Sequence, residues 1–121
     1  GKKVAALGLA FKEDVDDLRE SPAVNLANMM VGEGAIVTAF EPNKPEARFD
    51  GFATVPGLDM ALKEAELVVI LVAHREFKEL KPVELVSLTS CRVLVDMRGI
   101  LNRDEWEMAG FRLFTLGDGH H

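Results

Sequence analysis

The chain has 121 residues, a length that fits one domain, and hydrophobic residues make up 48% of it, enough for a buried core rather than a disordered tail. The chain has 20 acidic and 14 basic residues, and its formal net charge is -6. This charge disfavours nucleic acid and anionic membranes as partners. An anionic ligand would need a local cluster of basic side chains to overcome this overall field.

The cysteine content and the two ends of the chain bear on its setting. Cys91 is the single cysteine, so no internal disulfide is possible and we expect a reducing, cytoplasmic environment. No charged-then-apolar signal segment precedes the first strand-like run, and the longest apolar run, residues 67–73, is too short to span a bilayer. We interpret His120 and His121 as a tag remnant, residues 1–119 as the domain, and expect no bound metal because no ligand spacing is present.

Strand-like and helix-like segments alternate along the chain. Ser21 and Pro22 predict an N-cap and a first-turn proline, and Asn102 with Glu105 resembles a capping box. In chain order we predict a strand over 3–9, a helix from 22 that stops at 32–34, a strand over 35–40, a helix over 57–65, a strand over 66–73, a helix over 82–88, a strand over 91–96, a helix around 106 and a strand over 111–116.

This alternation predicts the fold class. The run at residues 66–73 is continuously apolar and β-branched, which is typical of a central parallel strand covered on both faces. We therefore predict an α/β fold, a Rossmann-like three-layer sandwich with a mostly parallel sheet of about five strands and right-handed crossovers. Residues 49–56 form the most irregular part of the sequence.

Ligands of open parallel sheets bind outside the carboxyl ends of the strands. The segments expected there are the loop after the first strand and the turns at residues 41–43 and 97–99. The first loop has Gly8 but no G-x-G-x-x-G pattern, and about a dozen residues pass before Ser21, which is longer than such loops usually are. A long charged loop at this edge favours a functional role, although a solvated surface loop remains the alternative.

Three basic residues at this edge predict a local anion site. They are Lys12, Arg19 and Arg98. Weak surface ion pairs are the alternative for the arginines, with Arg19 bound to Glu20 or Asp17 and Arg98 bound to Asp96.

Four other side chains near this edge or in the core allow two roles each. Phe11 either packs as core, which is the commoner role, or flanks a base or ribose. Glu41 lies where a Rossmann fold places its ribose-binding acid, but a turn acid beside Pro42 is favoured without the glycine fingerprint. We interpret His74 as structural rather than catalytic and Cys91 as a small buried hydrophobe at the start of a strand.

Several segments carry a resemblance to a known family. They are residues 8–23 (GLAFKEDVDDLRESPA), 41–43 (EPN), 71–77 (LVAHREF) and 95–99 (VDMRG). The first is long and specific, and it resembles the opening of the C-terminal, UDP-binding domain of UDP-glucose/GDP-mannose dehydrogenases. The second and third resemble the UDP-N-acetylmannosamine dehydrogenases within that family, with UDP-glucose, UDP-N-acetylgalactosamine and GDP-mannose enzymes as alternatives.

The resemblance implies an activity for the intact enzyme. The family oxidises the sugar C6 alcohol to a carboxylate with two NAD molecules in succession. Its NAD-binding domain and its catalytic cysteine lie upstream, and this chain matches neither, so we expect no catalytic residue here. The implied partners are a UDP-sugar and the N-terminal and central domains of the same enzyme, which is expected to be a homodimer.

The resemblance also implies site residues. Arg98 is expected to contact the substrate and Arg19 to reach NAD across the domain cleft. The residues expected to line the UDP-sugar site are Phe11, Lys12, Glu13, Asp14, Val15, Asp16, Asp17 and Leu18. A stand-alone nucleotide- or CoA-binding regulator would also explain the fold and the lack of catalytic groups, but not the match in the first loop.

Overall fold

Strands and helices alternate in the computed structural model, which describes residues 1–10 and 21–115. The elements are β1 (Lys3–Leu7), α1 (Pro22–Gly32), β2 (Ile36–Phe40), β3 (Ala53–Thr54), α2 (Leu58–Leu62), β4 (Leu67–Ile70), α3 (Arg75–Lys78), α4 (Pro82–Leu88), β5 (Val93–Asp96), α5 (Arg103–Met108) and β6 (Arg112–Thr115). Within these ranges, none of the helices is both long and apolar enough to cross a membrane.

All strand pairs of the sheet are parallel, and the strand order is β3-β2-β1-β4-β5-β6. This is the doubly wound order, in which the chain first builds outward from β1 on one side and then from β4 on the other. The predicted α/β fold with a parallel sheet is therefore confirmed. The order reverses between β1 and β4, so a crevice is expected outside the carboxyl ends of these two strands.

The sheet has six strands in the described residues, one more than the five strand-like runs of the sequence, because the prediction omitted β3. This strand has two residues, and Ala53 and Thr54 pair with Thr38 and Ala39 of β2. A two-residue edge strand is too short to show any periodicity in sequence. The four-residue helix α3 was missed for the same reason.

The predicted strands over residues 3–9 and 66–73 overshoot the sheet at its carboxyl edge. The strand expected over residues 66–73 ends as β4 at Ile70, although residues 71–73 are all buried. Apolar continuity reports burial rather than strand pairing, and here the buried chain continues beneath the loops. The predicted helix over residues 82–88 matches α4. Leu116, the end of the last predicted strand, lies outside the described residues.

Helices cover both faces of the sheet. On one face, α2 to α5 contribute Leu62, Phe77, Leu85 and Trp106 to a buried cluster with the strands. On the other face, α1 packs against the strands with small side chains such as Ala23 and Ala27. Small residues allow a close approach of the helix to the sheet. The first residues of α1, Pro22 and Ala23, lie beside the crevice.

The predicted caps start the first and last helices. The Ala23 backbone N–H donates to Ser21 Oγ at 3.1 Å, and the Glu105 backbone N–H donates to Asn102 Oδ1 at 2.8 Å. Each cap satisfies a backbone donor that a helix leaves without a partner at its first turn. Ser21 Oγ also donates to the Ala10 carbonyl at 3.1 Å, which ties the start of α1 to the chain after β1.

The turn after β1 requires glycine at position 8. Gly8 has a φ of 96°, and a Cβ there would lie 2.7 Å from Val72 Cβ. Gly34, after α1, has a φ of 100° but no atom within 4 Å of the corresponding Cβ position. The two glycines therefore share the strained backbone and differ in the space around them.

We predict that Gly8→Ala destabilises the chain more than the control Gly34→Ala. The left-handed backbone costs about 1–2 kcal/mol for an L residue at either site, and overpacking against Val72 adds about 1–3 kcal/mol at Gly8 only. Urea denaturation of both variants measures the difference. Equal losses of unfolding free energy in the two variants would show that the close approach to Val72 adds no destabilisation at Gly8.

Candidate functional site

The carboxyl edge of the sheet is held together by backbone bonds that extend past the strands. The Gly8 N–H donates to the Phe40 carbonyl at 2.8 Å, and the Leu71 N–H donates to the Leu7 carbonyl at 2.9 Å. The Met97 N–H donates to the Ile70 carbonyl at 3.1 Å. The loops after β1, β2, β4 and β5 are therefore brought to one edge in a defined order.

Glu41, directly after β2, is the centre of this edge. Its side chain is buried, with 2% of the residue exposed. Oε1 accepts from the backbone N–H groups of Leu9 at 2.7 Å and Ala10 at 2.9 Å, and Oε2 accepts from the Asn43 N–H at 2.9 Å. The preferred role of Glu41 as a turn acid is confirmed, but the same carboxylate also holds the loop after β1.

His74 completes the set of groups around Glu41. The imidazole is fully buried, and its Nε2 lies 3.0 Å from Oε1 and 2.9 Å from Oε2 of Glu41. Its Nδ1 lies 3.4 Å from the Asn43 side-chain nitrogen. Because a carboxylate oxygen can only accept, the imidazole donates from Nε2 to Glu41. His74 therefore has the structural role that was expected.

The protonation state of Glu41 follows from these contacts. Burial raises the pKa of the carboxyl group, but the hydrogen bonds from His74 and from the backbone N–H groups of Leu9 and Asn43 more than offset it, so the pKa is lowered from its ordinary value of 4.5. Glu41 is therefore a carboxylate at neutral pH. With its oxygens engaged and buried, it is not placed to bind a ribose.

A second buried carboxylate organises the turn after β5. Asp96 is fully buried; its Oδ1 accepts from the N–H groups of Arg98 at 3.1 Å and Gly99 at 2.8 Å, and its Oδ2 accepts from the Leu101 N–H at 2.8 Å. Because backbone donors satisfy Asp96, the alternative in which it pairs with the Arg98 guanidinium is wrong. Among the described residues, no carboxylate lies within 4.0 Å of that exposed guanidinium.

A cleft lies where the strand order reverses. It has a volume of about 180 Å³ and lies between the ends of β1, β4 and β5 and the start of α1. Its lining is apolar except for Arg98 and consists of Ala10, Pro22, Ala23, Leu26, Leu71, Val72, Met97 and Arg98. This volume is below the range of whole ligand sites, so the cleft fits a ring or another part of a ligand, with a cation at its rim.

Larger clefts occur elsewhere on the described surface. One of about 370 Å³ lies at the amino end of β1 and β2, and one of about 510 Å³ lies along β6. Neither is at the carboxyl edge, where ligands of open parallel sheets bind. The smaller cleft beside Arg98 is therefore the better candidate.

Most of the predicted site residues lie outside the described part of the chain. They are Phe11, Lys12, Glu13, Asp14, Val15, Asp16, Asp17, Leu18 and Arg19. The convergence of Lys12 and Arg19 with Arg98 stays a prediction. Within residues 1–10 and 21–115, no group of three His, Cys, Asp or Glu side chains is arranged to hold a metal.

Sequence reasoning missed part of the framework around this edge and placed Cys91 correctly. Asp96 was considered only as a partner for Arg98. An aspartate that ends a buried strand, with Gly99 three residues later, is nevertheless a turn signal.

Cys91 is buried, as expected, but β5 begins two residues later at Val93. The thiol is at the amino end of β5, away from the cleft.

Comparison with known proteins identifies close similarities over the whole chain. Residues 5–103 match the UDP-glucose/GDP-mannose dehydrogenase family, UDP binding domain. The chain is 36% identical over 120 residues to a UDP-N-acetyl-D-mannosamine dehydrogenase of Methanocaldococcus jannaschii, covering 97% of this chain and 27% of that protein. It is 36% identical over 123 residues to a UDP-glucose 6-dehydrogenase of Rhizobium meliloti, covering 97% of this chain and 28% of that protein.

Solved structures give the same picture. The NDP-N-acetyl-D-galactosaminuronic acid dehydrogenase of Methanosarcina mazei superposes with a TM-score of 0.84 at 28% identity, over 100% of this chain and 26% of that one. The UDP-N-acetyl-mannosamine dehydrogenase Cap5O of Staphylococcus aureus superposes with a TM-score of 0.74 at 29% identity, over 98% of this chain and 27% of that one. The chain thus spans about a quarter of the length of these relatives.

We predict that the stability contributed by Glu41 is present above its unfolded pKa of about 4.5 and is lost as the pH falls through its lower folded pKa. Glu41→Gln should cost about 3–5 kcal/mol near neutral pH, because an amide nitrogen then faces the donors of Asn43 and His74. The difference from wild type should shrink on acidification below that window. Chemical denaturation across a pH series measures it.

Glu64→Gln is the matched control for this experiment. The pKa of Glu64 is also lowered, first by its hydrogen bond from Lys3, but the carboxylate is exposed at the surface. Solvent screens such a pair, so the control should follow the wild-type curve. A stability difference for Glu41→Gln that stayed constant at every pH would contradict the role of the charge.

Proposed function

Since the chain belongs to the UDP-glucose/GDP-mannose dehydrogenase family and matches its UDP-binding domain, we propose that it binds the nucleotide sugar in an NAD-dependent UDP-sugar 6-dehydrogenase. The intact enzyme oxidises the sugar C6 alcohol to a carboxylate. The observation that carries this proposal is the family match over residues 5–103, joined to the position of Arg98 beside a cleft at the carboxyl edge.

In the proposed site, Arg98 supplies the positive charge. Its guanidinium is exposed at the rim of the apolar cleft, and Asp96 is held by backbone donors instead of by that guanidinium. A guanidinium in this position suits a phosphate or a sugar oxygen, with the apolar wall against a ring. We assign Phe11 to Leu18, including Lys12, to the same UDP-sugar site, and Arg19 to the NAD side.

The rest of the enzyme supplies the chemistry in this proposal. NAD and the catalytic cysteine belong to the N-terminal and central domains, which are the partners of this chain together with the UDP-sugar. The intact enzyme is a homodimer in the cytoplasm. The relatives, which are about four times longer than the stretch matched here, support such a division.

The favoured sugar is UDP-N-acetyl-D-mannosamine, oxidised to the corresponding uronate. Its support is the turn at residues 41–43, His74 before residues 75–77, and the similarity to the enzyme of that name from M. jannaschii. The R. meliloti relative is named as a UDP-glucose enzyme and has the same identity, so UDP-glucose or another UDP-hexose is the alternative substrate. Parallel assays of the full-length enzyme with both sugars decide between them.

We predict that this chain alone neither reduces NAD with a UDP-sugar nor binds UDP tightly. Without the cysteine nucleophile and the NAD-binding domain, covalent capture and hydride transfer are not arranged. A site divided between domains also loses contacts and preorganisation when one domain is present alone. NADH formation above a no-protein control, or submicromolar UDP-sugar binding by calorimetry, would contradict this.

In the full-length enzyme, we predict that Arg98→Ala raises the KM for the UDP-sugar, whereas Arg19→Ala mainly raises the KM for NAD. Loss of one charge-assisted contact costs about 1.5–3 kcal/mol, or roughly ten- to a hundredfold. Lys12→Ala should impair the substrate side, with a larger effect on kcat, because a cation near the reacting sugar stabilises developing negative charge.

Arg112→Ala is the matched control, since Arg112 is an exposed arginine on the edge strand β6, where its guanidinium stacks on Phe114. It should leave both KM values unchanged. A folding defect would depress the use of both ligands together, whereas true contacts separate them. If Arg98→Ala and Arg19→Ala both stayed within about twofold of wild type, the site assignment would be wrong.

A further inference from the structure

Two consecutive backbone N–H groups after β1 converge on a single oxygen atom. The N–H groups of Leu9 and Ala10 donate to Oε1 of Glu41 at 2.7 and 2.9 Å. Successive N–H groups that point at one position form a concave anion-binding site. In dinucleotide-binding folds of this strand order, the turn after β1 is the place where the pyrophosphate binds.

The occupant of this position is part of the chain itself. Glu41 is 2% exposed, and its second oxygen accepts from the Asn43 N–H at 2.9 Å and contacts His74 Nε2 at 2.9 Å. Glu41 starts from the end of β2, the place from which a dinucleotide fold extends an acid to the ribose. Here the side chain folds inward instead, which removes both the ribose acid and the free N–H groups.

An external phosphate competes poorly for this position. It would have to displace a buried carboxylate and leave that charge without its hydrogen bonds, or lie beside it and meet a like charge in a region of low dielectric constant.

We propose that Glu41 is a built-in anion that fills the phosphate position after β1, so that the pyrophosphate of a dinucleotide is excluded from this turn and the phosphates of a nucleotide are directed to Arg98. Glu41 is thus a specificity-determining residue that acts by exclusion. The occupancy of the turn rests on the geometry alone. Only the identity of the nucleotide at Arg98 rests on the proposed function.

The first test removes the built-in anion and supplies an external one. Glu41→Ala leaves the N–H groups of Leu9 and Ala10 facing a cavity that formate fits. We expect the Tm of this variant to rise saturably with sodium formate relative to sodium chloride at equal ionic strength, as for a ligand that binds only the folded state. Wild type should show the same Tm in both salts.

Glu66→Ala is the matched control. Glu66 also accepts from a backbone N–H, that of Lys3 at 2.8 Å, but it is exposed at the opposite edge of the sheet. It should show no formate-specific rise. If Glu41→Ala responded equally to formate and chloride, or if wild type and Glu66→Ala responded to formate as it does, the proposal would be overturned.

The second test uses the wild-type chain and does not depend on whether a variant folds. In amide-detected NMR, inorganic pyrophosphate and NAD should leave the Leu9 and Ala10 resonances unmoved, whereas UDP should move those of Arg98 and Gly99. Pyrophosphate-dependent shifts at Leu9 and Ala10 would overturn the exclusion. If UDP moved neither pair, the proposed function would fail, while unmoved Leu9 and Ala10 amides in pyrophosphate would still support the role of Glu41.

Discussion

The buried carboxylate of Glu41 is the interaction on which the carboxyl edge of the sheet depends. A buried charge is costly unless it is fully hydrogen-bonded. The donors come from the loop after β1, from the turn that Glu41 itself begins, and from His74 after β4. These three segments must therefore be in place together, and one side chain links the order of strands β2-β1-β4 to the geometry of the loops above them.

Asp96 repeats this arrangement after β5, where backbone N–H groups again satisfy a fully buried carboxylate. The consequence is electrostatic as well as structural. Both carboxylates accept hydrogen bonds from groups of the loops. The Arg98 guanidinium is exposed at the surface, with no carboxylate of the described residues within ion-pair distance. A chain with a net charge of -6 thereby keeps a basic group at the edge where an anionic nucleotide is proposed to bind.

The fold places this basic group at the reversal of the strand order. Strand β1 leads through α1 to β2 on one side, while β4 leads through α3 and α4 to β5 on the other. The loops therefore diverge outside β1 and β4, and the apolar cleft opens between them. A Rossmann-type sheet is thus retained, while the turn that would bind a dinucleotide is closed by the chain's own acid.

The sequence by itself determined the features that local patterns encode. The apolar runs and the alternation of elements predicted a parallel α/β fold, and Ser21 and Asn102 predicted two helix starts, because caps and periodicity depend on neighbouring residues. Strand β3 and helix α3 were not predictable, since elements of two and four residues carry no periodic signal. The resemblance of the first loop to a dehydrogenase domain was also visible, and the family match bears it out.

Only the tertiary structure decided which groups the carboxylates of Glu41 and Asp96 bind. Glu41 binds N–H groups 31 and 32 positions away and a histidine 33 positions away. Such partners meet only because parallel pairing brings the ends of β1, β2 and β4 to one edge. In sequence, the missing glycine fingerprint favoured a turn acid over a ribose-binding acid, but it did not show that the Glu41 side chain also binds the loop after β1. The direction of that side chain is set by donors that the fold supplies.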